Sequence, residues 1–398
     1  MIYLDHSATT PVRKEVVEAM APFWSERYGN PSSAHPMGRE ARKSMDLARK
    51  QVADLINATP DEIFFTSGGT EADNLALLGA AWGNWKKGRH VITTAIEHSA
   101  VLEPCRFLES QGYDLSILPV NEYGQIDMDE LSRTIRPDTV LISVMHANNE
   151  IGTIQAVDEI GQVATERGII FHCDAVQSAG HIPVNVNEIQ CDLLSISAHK
   201  MYGPKGIGCL YIRRGTKIEP LMRGGGHETG LRSGTENVAG IVGFGMAAQL
   251  AGDEMDHCAW YLGLLRDRLI EGMLERAIGC QLNGHRFLRL PGHASFSFRG
   301  VDGKALLDML GDKEIYASSG SACHAGSGKP SHVLKAMGYS EELATDVLRI
   351  TLGRENRDEE IDYLLAIIPE MISGLHDVMP DYHIEKSCPC EKQQPEPM

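Results

Sequence analysis

Lys200 ends the run Ser197-Ala198-His199-Lys200, just past an apolar stretch, and a lysine so placed can do carbonyl chemistry. Its amine forms an imine with an aldehyde once partial desolvation leaves it unprotonated near neutral pH. Asp174 closes a second apolar run, Ile169-Ile170-Phe171-His172-Cys173. An anion carried there needs a cationic partner, and a pyridinium nitrogen, which makes its ring an electron sink, is one. Ser67-Gly68-Gly69-Thr70-Glu71 places two glycines ahead of a helical stretch, so that backbone N–H groups turn toward one point. That is an anion cradle suited to a phosphate, to which Ser197 and His199 can add donors. His98 can stack on an aromatic ring and move protons. Asn148, Asn149 and Gln177 can bond a phenolic oxygen. Each residue also has an ordinary reading: Lys200 as a solvated loop lysine, Asp174 as a loop cap, Thr70 as a helix N-cap, His98 as a bonded core histidine. Together they meet the needs of a phosphorylated pyridine aldehyde.

These residues must be carried by elements that bring them to one place. Between about residues 60 and 213 strand-like runs alternate with helical ones. Strands are expected at 62–66, 90–95, 139–146, 169–174, 192–197 and 207–213, and helices at 71–81, 99–111 and 157–167. The alternation predicts an α/β fold with a mainly parallel sheet covered on both faces. Ligands of such sheets bind at the carboxyl ends of strands, where five polar clusters fall in this chain. A long helical stretch from Thr235 to roughly Arg266 precedes a change of style, with strands at 293–299 and 347–352 and a helix at 358–375. Asn356 with Glu359 is a candidate cap for that helix. The expected organisation is a large domain at 14–261, a smaller α+β domain from 1–13 and 262–380, and a flexible tail at 381–398.

The 398 residues carry a net charge of -17, which disfavours a nucleic-acid partner. No apolar run approaches the ~18–20 residues that span a bilayer, and Met1 to Pro11 lacks the pattern of a signal peptide. Nine irregularly spaced cysteines suit reduced thiols in a cytoplasmic setting. Neither a Walker A ending nor a G-x-G-x-x-G after a strand is present.

The motifs jointly resemble those of fold-type I pyridoxal-phosphate enzymes of the class V aminotransferase group, and specifically cysteine desulfurases of the NifS/IscS-like kind. The resemblance rests on Tyr3-Leu4-Asp5-His6-Ser7-Ala8-Thr9-Thr10-Pro11, Gly29-Asn30-Pro31-Ser32-Ser33, Asn148-Asn149-Glu150-Ile151-Gly152, residues 197–206 and Arg232-Ser233-Gly234-Thr235. It runs from Met1 to about Leu375. His6 departs from the family, where many members carry Asn. The resemblance implies a seven-stranded, mainly parallel sheet and pyridoxal 5'-phosphate as cofactor. It makes Lys200 the attachment residue, Asp174 the partner of the ring nitrogen and His98 the stacking residue. Asn149 and Gln177 flank the ring oxygen, while Gly69, Thr70, Ser197 and His199 hold the phosphate. Thr235 reaches the phosphate of a neighbouring subunit, implying a homodimer. Arg349, with Asn149 nearby, binds the carboxylate of the substrate L-cysteine.

A nucleophilic thiol separates a desulfurase from an aminotransferase. Cys323 lies among small residues in Ser318-Ser319-Gly320-Ser321-Ala322-Cys323-His324-Ala325-Gly326, a composition suited to an exposed loop, with His324 and Lys329 close in sequence. Cys105, Cys209 and Cys280 read as buried structural thiols. The implied reaction converts L-cysteine to L-alanine and leaves sulfur on Cys323 as a persulfide. A U-type iron–sulfur scaffold or other sulfur acceptor then takes it. Two rivals stand beside it: an aminotransferase or cysteine β-lyase on the same scaffold, and a non-catalytic sulfur-relay or scaffold protein without cofactor. Cys388-Pro389-Cys390 in the tail falls short of a four-ligand metal site, so no metal is expected beyond sulfur or a cluster passing over Cys323. The sequence leaves open which sulfur pathway is served.

Overall fold

A computed structural model describes residues 1–320 and 330–378; Cys323, Cys388 and Cys390 lie outside the described residues. The strands are β1 (Ile2–Tyr3), β2 (Ile63–Thr66), β3 (His90–Thr94), β4 (Asp114–Leu118), β5 (Thr139–Met145), β6 (Ile170–Asp174), β7 (Leu193–Ser197), β8 (Gly208–Ile212), β9 (Cys280–Leu282), β10 (His293–Phe298), β11 (Ile315–Tyr316) and β12 (Val347–Thr351). The helices are α1 (Lys14–Met20), α2 (Pro22–Ser25), α3 (Pro36–Leu55), α4 (Gly69–Asn84), α5 (Ser99–Ser110), α6 (Met128–Thr134), α7 (Val157–Arg167), α8 (Val186–Ile189), α9 (Val238–Arg276), α10 (Gly303–Asp312), α11 (His332–Ala336) and α12 (Asp358–Val378).

Strands β2-β8-β7-β6-β5-β3-β4 form one seven-stranded sheet. Neighbours from β7 through β4 run parallel, while β8 is antiparallel to both β2 and β7. The sheet is therefore the mainly parallel one expected from the sequence. β5 is buried along its whole length because helices cover both faces. On one face Met45, Val52, Ile142, Phe171 and Phe244 share a core; on the other Leu75, Leu77, Val101, Leu141 and Leu193 share a second. β6 alternates between them, sending Phe171 and Cys173 to the first and leaving His172 and Asp174 for the second.

α9 is capped by the Asn237 side chain on Gly240 N at 3.0 Å, and its 39 residues extend ten beyond the sequence expectation. The longer helix follows from its burial pattern. Its first half packs Phe244 and Ala248 on the large sheet's core, and its second half packs Leu265, Leu269 and Met273 with Phe296, Leu348 and Ile368. β10 pairs antiparallel with β9 and β12, and β1 pairs with β11. The N-terminal segment thus joins this second body of structure, where Thr351 N bonds to Leu4 O at 2.7 Å. Asn356 does not cap α12 with Glu359 as expected: its side chain accepts from Gly353 N at 2.7 Å and donates to Glu360 at 2.9 Å, and it is Glu360 that accepts the Arg357 amide at 3.2 Å.

Candidate functional site

The carboxyl ends of β5, β6 and β7 and the amino end of α4 open onto a cavity of about 260 Å³. Lys200, Asp174, His98, Gly69, Thr70, Asn149, Gln177, Ser197, His199 and Arg349 all line it. These residues span 280 positions of sequence; the parallel topology gathers those of the large sheet at one edge, and Arg349 reaches the cavity from β12 of the separate three-stranded sheet.

Lys200 Nζ donates to Ser7 O at 2.6 Å and to Ala8 O at 2.8 Å. The His181 ring meets the Lys200 carbonyl at 2.8 Å. The amine is therefore held at the cavity wall by backbone acceptors. Ser7 O also accepts from Gln177 Nε2 at 3.1 Å, so the first loop ties two site residues together. Asp174 accepts the Val176 amide at 2.9 Å, and burial raises its carboxyl to about 6, against the lowering influence of that bond and of Lys200.

α4 starts without a side-chain cap, and Gly68 holds φ at 153°, a conformation that favours glycine. A Cβ on Gly69 would stand 2.8 Å from Val176 Cγ2, so the turn leaves space that a side chain would fill. Uncapped first-turn amides facing such a space fit a phosphate. Burial, Lys200 and Lys205 together lower the His199 imidazole to about 4; its Nδ1 lies 3.2 Å from Thr9 Oγ1.

His98 is the N-cap of α5, its Nδ1 accepting from Ala100 N at 3.1 Å. Burial and the nearby Lys200 and His332 lower its pKa, so the neutral ring carries its proton on Nε2. The two asparagines have different tasks. Asn148 is fully buried and shapes a turn, accepting from Glu150 N at 2.8 Å and Ile151 N at 3.0 Å, whereas Asn149 faces the cavity.

Arg349 is 1% exposed on β12. Its guanidinium bonds to Asp5 Oδ1 at 2.8 Å, to Asn149 O at 3.0 Å and to Gly320 O, while Nε has no hydrogen-bond partner among the described residues. A carboxylate entering the cavity would meet a fork already oriented, and would compete with Asp5 for it. Thr235 is exposed and does not line the cavity. Sequence reasoning missed Asp73 and gave Glu97 no role. Asp73 follows Gly69 by four residues and so shares its helix face, which was the available signal.

Lys, Asp and an anion cradle at the ends of parallel strands define the class of fold-type I pyridoxal-phosphate enzymes, and the residues present fit that cofactor. The class-V aminotransferase family model matches residues 2–364. A cysteine desulfurase IscS of Methanosarcina thermophila is 51% identical over 95% of this chain and 94% of its own. That of Dictyoglomus turgidum is also 51% identical, over 95% and 96%. A solved NifS-like protein superposes with a TM-score of 0.88 at 41% identity, covering 94% of this chain and 99% of the other. Another, described as SspA in complex with cysteine, gives 0.79 at 38%, covering 88% and 99%. The chain belongs to the class-V aminotransferase family, in its branch of IscS- and NifS-like cysteine desulfurases.

Proposed function

We propose that this protein is a pyridoxal-phosphate-dependent cysteine desulfurase that moves the sulfur of L-cysteine onto Cys323 and leaves L-alanine. The observation that carries this reading is the convergence of Lys200, Asp174 and the Gly69–Thr70 turn on one cavity with Arg349 at its wall. Gly69, Thr70, Ser197 and His199 would hold the phosphate, Asp174 would pair with the ring nitrogen, His98 would stack on the ring, and Asn149 and Gln177 would serve the ring oxygen. Lys200 is the attachment residue. When bound, pyridoxal phosphate supplies an electron sink for the electron pair left at the substrate Cα.

The chain's own groups do the rest. Arg349 orients the substrate carboxylate, and Lys200 moves the proton at Cα. The Cys323 thiolate attacks the substrate sulfur: an S–S bond forms, the Cβ–S bond breaks and Cβ gains a proton. The net change is L-cysteine plus the Cys323 thiol giving L-alanine plus a Cys323 persulfide. An acceptor protein of iron–sulfur assembly, a U-type scaffold or an equivalent, then takes the sulfur. The exposure of Thr235, away from its own cavity, supports a homodimer in which it serves the partner subunit's phosphate. The six described cysteines are free, which supports a reducing, cytoplasmic setting. Among the described residues no helix is long and apolar enough to cross a membrane.

Incubation with L-cysteine and a thiol reductant tests the reading. Sulfide and alanine should appear in equal amounts. Pyruvate with ammonia, or an α-keto acid, in place of alanine would overturn it in favour of a β-lyase or aminotransferase.

A further inference from the structure

Three carboxyl side chains, Asp73, Glu97 and Asp174, are buried at or beside the cavity. Their surroundings differ. Asp174 has the Val176 amide at 2.9 Å and the favourable field of Lys200. Glu97 accepts from Thr94 Oγ1 at 2.7 Å and Met145 N at 3.0 Å through one oxygen. Asp73, reaching from α4, faces the two other carboxyls, the nearby Ser195 hydroxyl, which favours its charged form, and His172. Its Oδ1 has no hydrogen-bond partner among the described residues, and His172 Nε2 stands 3.5 Å away.

That histidine is not a cation. It is fully buried, and burial pushes its imidazole down to about 3. It bridges two buried serines, Ser143 Oγ at 2.8 Å from Nδ1 and Ser195 Oγ at 3.0 Å from Nε2. The register sets this polar row: Ser143 lies opposite His172 on β5, and Ser195 opposite Asp174 on β7. Leu75, Ala76 and Leu193 belong to the apolar core on the same face, so water does not solvate it.

An ionised Asp73 would put an orphaned anionic oxygen in this dry row, beside two more carboxyls and with no cation paired to it among the described residues. A neutral Asp73 has an outlet. If His172 carries its proton on Nδ1 toward Ser143 and Ser195 turns its hydroxyl toward Asp73, the Nε2 lone pair can accept from the Asp73 hydroxyl after a small side-chain adjustment. Between two coupled carboxyls the proton settles on the one without cationic or N–H support. We infer that Asp73 is a positioning residue that keeps its proton at neutral pH and so leaves Asp174 as the one carboxylate facing the cavity. Burial and the charge of Asp174 hold Asp73 well above the usual carboxylate range, which agrees with the geometry. The benefit to a ring nitrogen rests on the proposed function; the protonation of Asp73 does not.

Infrared difference spectroscopy of the full-length protein, with and without pyridoxal phosphate, tests this. The wild type minus Asp73→Asn difference should contain a protonated-carboxyl band at neutral pH, with an isotope shift in protein labelled with 13C-aspartate that separates it from Glu97. In Asp174→Asn the same band should titrate at a pH lower by about one unit or more, because the repelling charge is gone. Labelling alone carries the test if the Asn variant at position 73 fails to accumulate. A carboxylate at neutral pH in the wild type, or a midpoint unmoved by Asp174→Asn, overturns the inference. The acid limb of cofactor affinity gives a second readout. Asp73→Asn replaces one neutral group by another, so the limb should stay put, and displacement by about one pH unit or more would contradict the account. Failure of the wild type to bind the cofactor would sink the proposed function, while the infrared result on cofactor-free protein would still decide this inference.

Discussion

Replacing Glu97 by Gln should make the protein more stable in a way that grows with pH. Glu97 is fully buried, one oxygen satisfied by Thr94 and Met145 N and the other without a partner among the described residues. Burial, opposed by those two bonds, raises its pKa from 4.5 to about 8. Below about pH 4.5 folded and unfolded chains are both protonated there, and the group contributes no pH dependence. As pH rises the unfolded chain ionises first, so stability is lost progressively until the folded carboxyl also ionises near pH 8. The span of about 3.5 pH units, at about 1.4 kcal/mol each, makes the loss roughly 5 kcal/mol. Gln can accept both existing hydrogen bonds. Its amide leaves two N–H donors unpartnered where the protonated acid leaves one O–H, so in acid the variant should lie level with the wild type or slightly below it. With ~2.1 cal/mol/K of unfolding entropy per residue over 398 residues, ~5 kcal/mol corresponds to ~6 °C in Tm. Calorimetric melting of cofactor-free wild type and Glu97→Gln from pH 4 to 9 is the assay. The Tm curves should nearly coincide in acid and separate by several degrees in favour of Gln by pH 8. Parallel curves would refute the claim that Glu97 is a buried neutral acid.

Two substitutions address the cavity itself. Gly69→Ala places a Cβ 2.8 Å from Val176 Cγ2, forcing a cavity-lining side chain to move. Cofactor affinity should fall by about tenfold, ~1.4 kcal/mol, in an absorbance titration, and an unchanged Kd would remove this turn from the phosphate site. Arg349→Lys keeps the charge but loses the fork, and kcat/KM for L-cysteine should drop about ten- to a hundredfold with normal cofactor absorbance. An unchanged kcat/KM would exclude Arg349 from substrate binding.

The strand-end residues were legible because the parallel α/β pattern fixes where each one emerges: a polar group after an apolar run must sit at the same sheet edge. β4 was not, because Asp114–Leu118 is an edge strand, half exposed, with weak apolar signal. The reversed direction of β8 was equally hidden, since pairing direction leaves no mark on a short buried run. Asp5, which grips Arg349 from 344 positions away, is set by the packing of the N-terminal segment, and no local pattern announces it. The carbonyls of Ser7 and Ala8 that receive Lys200 are backbone groups, on which side-chain chemistry is silent. Asp73 reads as a polar helix residue until the sheet beneath it is known.

The central claim is that sulfur leaves cysteine for Cys323. Full-length protein with cofactor bound, given L-cysteine labelled with a heavy sulfur isotope and no reductant, should be trapped, digested and analysed by mass spectrometry. The account predicts one labelled sulfur per chain on the peptide containing Cys323, with a matching amount of alanine. It also predicts that Cys323→Ser keeps the cofactor absorbance while forming almost no alanine. Label appearing first on Cys388 or Cys390, or alanine formed at the wild-type rate by Cys323→Ser, would contradict it.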